Sequence, residues 1–200
     1  MNQISTHAGF VVAGGRSSRM GTDKAFLNWE GKSLVERALN TLRSVCSQVA
    51  ILGASAKFAR YGAVVEDIFS GSGPLAGIHA GLVHSTADLN VMLAVDMPFA
   101  SPDLLRFLIG IAETTDAIVT VPRIGGGFQP LCAVYRRAFA GLAEQGLREE
   151  KNKIDALFSA VTVRIVEEDE LAAAGFSAAL FRNFNTPEDL NSVKPGSFSG

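Results

Sequence analysis

The sequence predicts an α/β fold, a mostly parallel sheet with helices on both faces. Two patterns carry this reading. Short apolar runs alternate with segments of helical periodicity along the chain. Several of the runs, VMLAV at 91–95 and AIVTV at 117–121, are nearly continuous in apolar residues. Strands of that kind are buried on both faces, as in a parallel sheet covered by helices.

In chain order, the expected strands lie at 9–13, 48–52, 63–66, 89–95, 116–121, 131–135 and 161–166. Helices fall between them. SLVERALNTLRSV opens with Ser33, and Glu36 stands where a capping box needs it; Leu34, Ala38, Leu42 and Val45 then recur at helical spacing. SPDLLRFLIGIAE opens with Ser101 as N-cap, Pro102 at the first helical position and Asp103 in the first turn. A shorter helix starts at Pro74, and TPEDLNSV at 186–193 repeats the Pro-and-acid entry. The polar segment 141–153 reads as carrying a mobile loop between 146 and 153. Residues 1–193 are expected to form a single domain, and the tail 194–200 to be disordered.

Composition narrows the class. The 200 residues are 48% hydrophobic and 19% charged, enough for a substantial core. A net charge of -2 gives no reason to expect a nucleic-acid partner. The two cysteines, Cys46 and Cys132, lie far apart in apolar surroundings, without metal-ligand spacing, and read as small core residues. The start MNQISTHAG lacks the pattern of a signal peptide, and no apolar run reaches the ~18 residues of a membrane span. The expected location is the cytoplasm, with no membrane association.

In such sheets ligands bind beyond the carboxyl ends of the strands, and the chemistry-bearing residues cluster after expected strands. AGGRSSRMGTDK, 13–24, follows the first. Gly14 and Gly15 let the backbone approach a ligand, and consecutive amides in such a turn form an anion nest. Arg16, Arg19 and Lys24 add positive charge. The loop matches neither the P-loop nor the dinucleotide-binding glycine pattern, yet its place and charge point to a phosphate. LAVDMPF places Asp96 at the end of the most apolar strand, a natural Mg²⁺ ligand beside phosphate oxygens. In VVEDIFSGSGPLAGI, Asp67 follows a strand and suits hydrogen bonds from a ribose or base. GGGFQPLCAVY joins three glycines, read either as a mobile loop able to close on substrate or as a flexible hairpin loop without a ligand, to Gln129 and Pro130. In NFNTPEDL, Asn183 and Asn185 alternate on an extended segment and point the same way. His79 and His84 have no nucleophile spacing around them and read as packed or surface residues.

In this order the five motifs resemble the molybdenum cofactor guanylyltransferase family, over about residues 10–193. The resemblance implies a Rossmann-like nucleotidyltransferase domain of the glycosyltransferase A-like kind. It implies Mg²⁺-dependent transfer of GMP from GTP to the phosphate of molybdopterin, with release of pyrophosphate. Val12, Ala13, Gly14 and Gly15 would contact the nucleotide, Lys24 its phosphates, and Asp67 the nucleoside end. Asp96 would bind GTP and Mg²⁺, and Arg19 and Lys24 would stabilise the departing pyrophosphate. Gln129, Pro130, Asn183 and Asn185 would form the molybdopterin side. Transient contact with cofactor-synthesis proteins and molybdoenzymes is implied as well.

Two positions depart from the family pattern. Gly53 stands where an asparagine often reaches the nucleotide, with Ser55 as the alternative carrier of that contact. An arginine of the polar segment has Arg148, Lys151 and Lys153 as its candidates. A sister family that transfers CMP usually reads A-A-G where this chain reads A-G-G, so Gly14 is expected to leave room for a purine. A nucleotide-binding regulatory protein without turnover is the reading from another class, which retention of Arg19, Lys24 and Asp96 argues against.

Overall fold

The computed structural model describes residues 7–14 and 24–184. The residues Gly15, Arg16, Arg19 and Asn185, the segment 186–193 and the tail 194–200 lie outside the described residues.

Four strands form the parallel centre of the sheet. They are β1 (Ala8–Val12), β4 (Gln48–Leu52), β5 (Val64–Val65) and β6 (Leu89–Ala94). β1 pairs in parallel with both β4 and β6, with Ala8 opposite Gln48 on one side and Asn90 on the other. β5 extends this unit beyond β4. On the far side of β6 lie β9 (Cys132–Arg136), β7 (Val119–Ile124) and β10 (Val163–Glu167), in that order. β9 runs antiparallel to both its neighbours, while β10 and β7 are parallel. The sheet is therefore mixed but mostly parallel, and its expected strands are present within a few residues of their sequence positions.

The apolar runs are continuous because both faces are covered. Along β1, Val11 enters one cluster with Leu34, Leu42 and Leu105. Phe10 and Val12 enter the opposite cluster with Leu75, Ile78 and Leu82. In β6, Met92 faces away from Val91 and Leu93 in the same manner. The helices α1 (Leu34–Arg43) and α4 (Pro102–Glu113) cover the first face. The helices α3 (Pro74–His84) and α5 (Phe139–Arg148) cover the second. The capping box of α1 forms as expected, Ser33 and Glu36 exchanging both bonds, and the Ser101 hydroxyl accepts from Leu104 N at 3.2 Å. Cys46 and Cys132 are buried, and burial pushes both thiols up to about 12. None of the described helices is long and apolar enough to cross a membrane.

Two expectations change, and one element is new. Residues 139–148 form a helix that runs into the loop expected at 146–153, and Phe139, Ala143, Gly146 and Leu147 bury one face of it. The turn after it is closed by a bond from Lys151 N to Gly146 O at 2.8 Å. The triple glycine is a tight hairpin between β7 and β8 (Gly127–Phe128), with φ of 56° at Gly125 and 79° at Gly126. Positive φ at both central residues is what a two-residue hairpin of primed type requires. Glu168 fixes it by accepting from Gly125 N at 2.8 Å. The hairpin of β2 (Asn28–Trp29) and β3 (Lys32–Ser33) was not foreseen; strands of two residues leave no periodicity to read.

A candidate nucleotide site at the carboxyl edge of the sheet

The parallel strands β1, β4, β5 and β6 all end at one edge, so the segments after them converge. These carry Ala13 and Gly14, then Gly53 and Ala54, then Glu66 and Asp67, then Val95 and Asp96. Backbone bonds fix their spacing: Ala13 N donates to Leu52 O, Gly53 N to Val65 O and Val95 N to Val12 O, each at 3.1 Å. Between the first three segments opens a cavity of about 380 Å³, lined among others by Gly14, Gly53, Lys57, Asp67 and Ser70.

Asp67 is the polar focus of this cavity. Its Oδ1 is buried and meets no hydrogen-bond donor among the described residues. Burial, then the neighbouring Glu66, raise its carboxyl above the ordinary range. Gly77 and Gly14 flank it: a Cβ at Gly77 would stand 3.5 Å from Oδ1 and one at Gly14 3.9 Å from Oδ2, both ordinary contacts. A buried acceptor without a partner costs free energy until a ligand donor meets it. Glu66 is already engaged. Its Oε1 accepts from Ser55 N at 2.7 Å, and this bond and the Ser55 side chain hold its carboxyl below the usual range.

A second focus lies at the end of β6. Asp96 Oδ2 is 3.7 Å from Lys24 Nζ. Lys24 comes from the 3-10 turn Lys24–Phe26, which precedes β2. Burial raises the Asp96 carboxyl, and Lys24 opposes this without cancelling it. A partly buried carboxylate whose charge is incompletely compensated suits a divalent cation. Among the described residues no three acidic, histidine or cysteine side chains gather into a cage. Mg²⁺ held by a carboxylate, phosphate oxygens and water needs none.

The segments expected on the acceptor side reach the same edge. β9 runs antiparallel to β6, so its start lies beside the end of β6, and Ala94 N donates to Leu131 O at 2.7 Å. This puts Gln129 and Pro130 next to the Asp96 segment. The Pro130 carbonyl accepts from the Tyr135 hydroxyl at 2.8 Å. Asn183 is exposed, and its neighbour Phe184 is fully buried and donates its N–H to Asp96 O at 2.8 Å. Phe184 packs edge-on against Phe99 and Trp29, with centroids 5.0 and 5.9 Å away.

The structure therefore brings Val12, Ala13, Gly14, Lys24, Asp67, Asp96, Gln129, Pro130 and Asn183 to one edge. Sequence reading missed Lys57 and Phe58, on the four-residue helix α2 (Ser55–Phe58), and the ring cluster behind Asp96. Arg148, Lys151 and Lys153 each pair with a nearby acid. Arg148 also lies 5.8 Å from the Phe69 ring, in the segment that carries Asp67. His84 is exposed; His79 is buried against Phe69, and burial lowers its pKa.

Gly53 has a packing reason. A Cβ there would stand 2.9 and 3.1 Å from two atoms of the Phe58 ring. Ser55, the other position considered for that contact, bonds Glu66 through its N–H and its side chain.

Comparison with known proteins matches this geometry. Residues 9–180 fit the model of the MobA-like NTP transferase domain. A probable molybdenum cofactor guanylyltransferase of Pelotomaculum thermopropionicum is 39% identical, covering 91% of this chain and 89% of that protein. A molybdenum cofactor guanylyltransferase of Desulfosudis oleivorans is 33% identical, with 93% of each covered. The crystal structure of molybdopterin-guanine dinucleotide biosynthesis protein A from Archaeoglobus fulgidus superposes with a TM-score of 0.80 at 28% identity, covering 92% of this chain and 95% of that one. With the match spanning the described sheet and its carboxyl edge, the chain belongs to the MobA-like NTP transferase family.

Proposed function

We propose that the protein transfers GMP from GTP to the phosphate of molybdopterin, forming the guanine dinucleotide cofactor and pyrophosphate. The observation that carries this reading is the adjacency of two unlike foci at one edge, in a chain related throughout to guanylyltransferases. One is a cavity with the Asp67 carboxylate, whose Oδ1 meets no donor among the described residues. The other is the Lys24–Asp96 charge pair.

Asp67 accepts hydrogen bonds from the nucleoside in the cavity, where Gly14 leaves room for it. The triphosphate extends along the loop after β1 toward Lys24, and Arg19 belongs to the same loop. An oxygen of the molybdopterin phosphate attacks the α-phosphorus. A new P–O bond forms, the bond to the bridging oxygen breaks, and its electron pair leaves with pyrophosphate. The attacking oxygen is already ionised at neutral pH, so positioning and charge neutralisation supply the catalysis. Lys24 meets negative charge building on the departing group. Asp96 is the residue that would hold Mg²⁺, which when bound neutralises charge at the phosphates. Gln129, Pro130, Asn183 and Asn185 hold the molybdopterin end. Use of GTP favours a cytoplasmic location, and a labile product favours transient contact with proteins that supply or accept the cofactor.

The test is pyrophosphate release by the purified protein with Mg²⁺ and molybdopterin, comparing GTP, CTP and ATP. Release with GTP alone is expected. Release with CTP alone would make the protein a cytidylyltransferase. GTP binding without release would make it a regulatory binder.

A further inference from the structure

The two foci are joined by a buried aromatic contact that the reaction as described does not use. Phe58 is only 1% exposed. One side of its ring lies against Gly53, so tightly that a Cβ there would stand 2.9 Å away. Gly53 is part of the cavity wall. Phe58 also packs against the Phe26 ring, centroids 5.5 Å apart. Phe26 belongs to the same 3-10 turn as Lys24.

That turn is anchored elsewhere too. Ala25 is fully buried, Leu27 N donates to Lys24 O at 3.0 Å, and Leu34 N donates to Leu27 O at 3.1 Å. The Phe26 ring stacks on Tyr61 at 5.9 Å and 20°. The Arg60 guanidinium lies 5.5 Å from the Phe26 ring and 4.8 Å from the Tyr61 ring. Phe58, Tyr61 and Arg60, which meet the Phe26 ring, all belong to the β4–β5 connection, which also contributes Gly53, Ala54, Lys57 and Phe58 to the cavity wall.

We propose that Phe58 is a positioning residue that couples the nucleoside cavity to Lys24. The contact path runs from Gly53 through the rings of Phe58 and Phe26 to the Lys24 turn, and ends at Asp96. Phe58 itself lines the cavity, and densely packed rings, being little compressible, transmit strain to their neighbours. A shift of the cavity wall therefore moves the lysine that meets the phosphates. This rests on the nucleotide reading of the site, and energetic coupling along such a path is measured by a double-mutant cycle.

The experiment titrates guanosine and GTP, with Mg²⁺, into the full chain and into Lys24→Ala, Phe58→Leu and the double variant. The ratio of GTP to guanosine affinity reports the phosphate contacts alone. It is expected to fall about tenfold in Lys24→Ala, as for loss of one charge-assisted contact. Phe58→Leu should lower it about threefold or more, a loss that passes through Lys24. The double variant should fall no further than Lys24→Ala. The proposal is overturned if Phe58→Leu weakens guanosine and GTP equally, or if the double variant shows the product of the single losses. Phe26→Leu disturbs the same contact from the other side and serves if Phe58→Leu does not fold. A folded wild type that binds neither compound would overturn the nucleotide reading itself, and this proposal with it.

Discussion

Lys24 Nζ stands 3.7 Å from Asp96 Oδ2, with 27% of the first side chain and 23% of the second exposed. The two form an ion pair whose side chains stay partly open to solvent, where a triphosphate with its cation would join them in the proposed reaction. Asp96→Asn keeps the shape and removes the charge. Turnover with GTP should fall about 10²- to 10³-fold, the usual loss when one preorganised electrostatic group is removed. The melting transition should persist. Pyrophosphate release within tenfold of wild type would remove Asp96 from the chemistry.

The two carboxyls with raised pKa values make the ligand-free protein less stable than its fold allows. For Asp67, burial and Glu66 both act in that direction. Between the ordinary aspartate pKa and the raised folded value, the native state binds more protons than the unfolded chain. Stability contributed at this site therefore falls as pH rises through that window. Asp67→Asn should stabilise the free protein at neutral pH by about 0.5–2 kcal/mol, while weakening nucleotide binding. The gain should shrink as pH falls through the folded pKa and vanish below the unfolded value, where both chains are neutral at this position. Urea midpoints across that range test it. A variant no more stable than wild type at pH 7 would show that burial of this charge is not costly.

The carboxyl-edge site was legible because its parts are local. A continuous apolar run marks each covered strand, and glycine or aspartate just after it marks the ligand edge. Gly14, Asp67 and Asp96 were read in this way. What was missed depends on distant partners. The Phe184 ring finds Trp29 and Phe99, and no local period announces such a contact. The direction of β9 was equally hidden, since an apolar run does not say which way its strand points. The triple glycine stayed open to two readings because glycine signals either mobility or a fixed positive φ. Glu168, far along the chain, belongs to the fixed case.

Gly53 and Phe58 form one packing unit. Gly53→Ala puts a methyl 2.9 Å from a buried ring atom, and overpacking of this kind costs about 1–3 kcal/mol. Phe58→Leu, itself destabilising, should recover most of that cost in the double variant because the smaller side chain yields. Denaturant midpoints of the four proteins give the interaction energy. Strictly additive losses would mean that the ring is not what excludes a side chain at position 53.

Gly14 is a different kind of glycine. A Cβ there would lie 3.7 Å from Leu52 O and 3.9 Å from Asp67 Oδ2, both ordinary contacts. The fold should accept Gly14→Ala with little change in stability. Any loss of activity then reports on the ligand. If the missing methyl makes room for a purine, kcat/KM with GTP should fall about tenfold or more, and any CTP activity should fall less. Equal losses with both nucleotides would end the steric argument.

Phe184 joins the segment that carries Asn183 to the end of β6. Its N–H holds the Asp96 carbonyl at 2.8 Å, and its ring fills the space against Phe99. Asn183 therefore sits one residue from a fixed point. Phe184→Ala should cost about 3–5 kcal/mol, as for other buried aromatic truncations, and says little about function. Phe184→Leu is the more informative change, because it retains most of the apolar contact and should cost about 1.5 kcal/mol or less if its neighbours repack. The backbone bond remains, but the segment is less firmly seated. If Asn183 contacts the acceptor as proposed, KM for molybdopterin should rise several-fold more than KM for GTP, since the cavity beside Asp67 is built from other loops. Equal changes in the two KM values would place Phe184 outside acceptor binding and leave it a core residue alone.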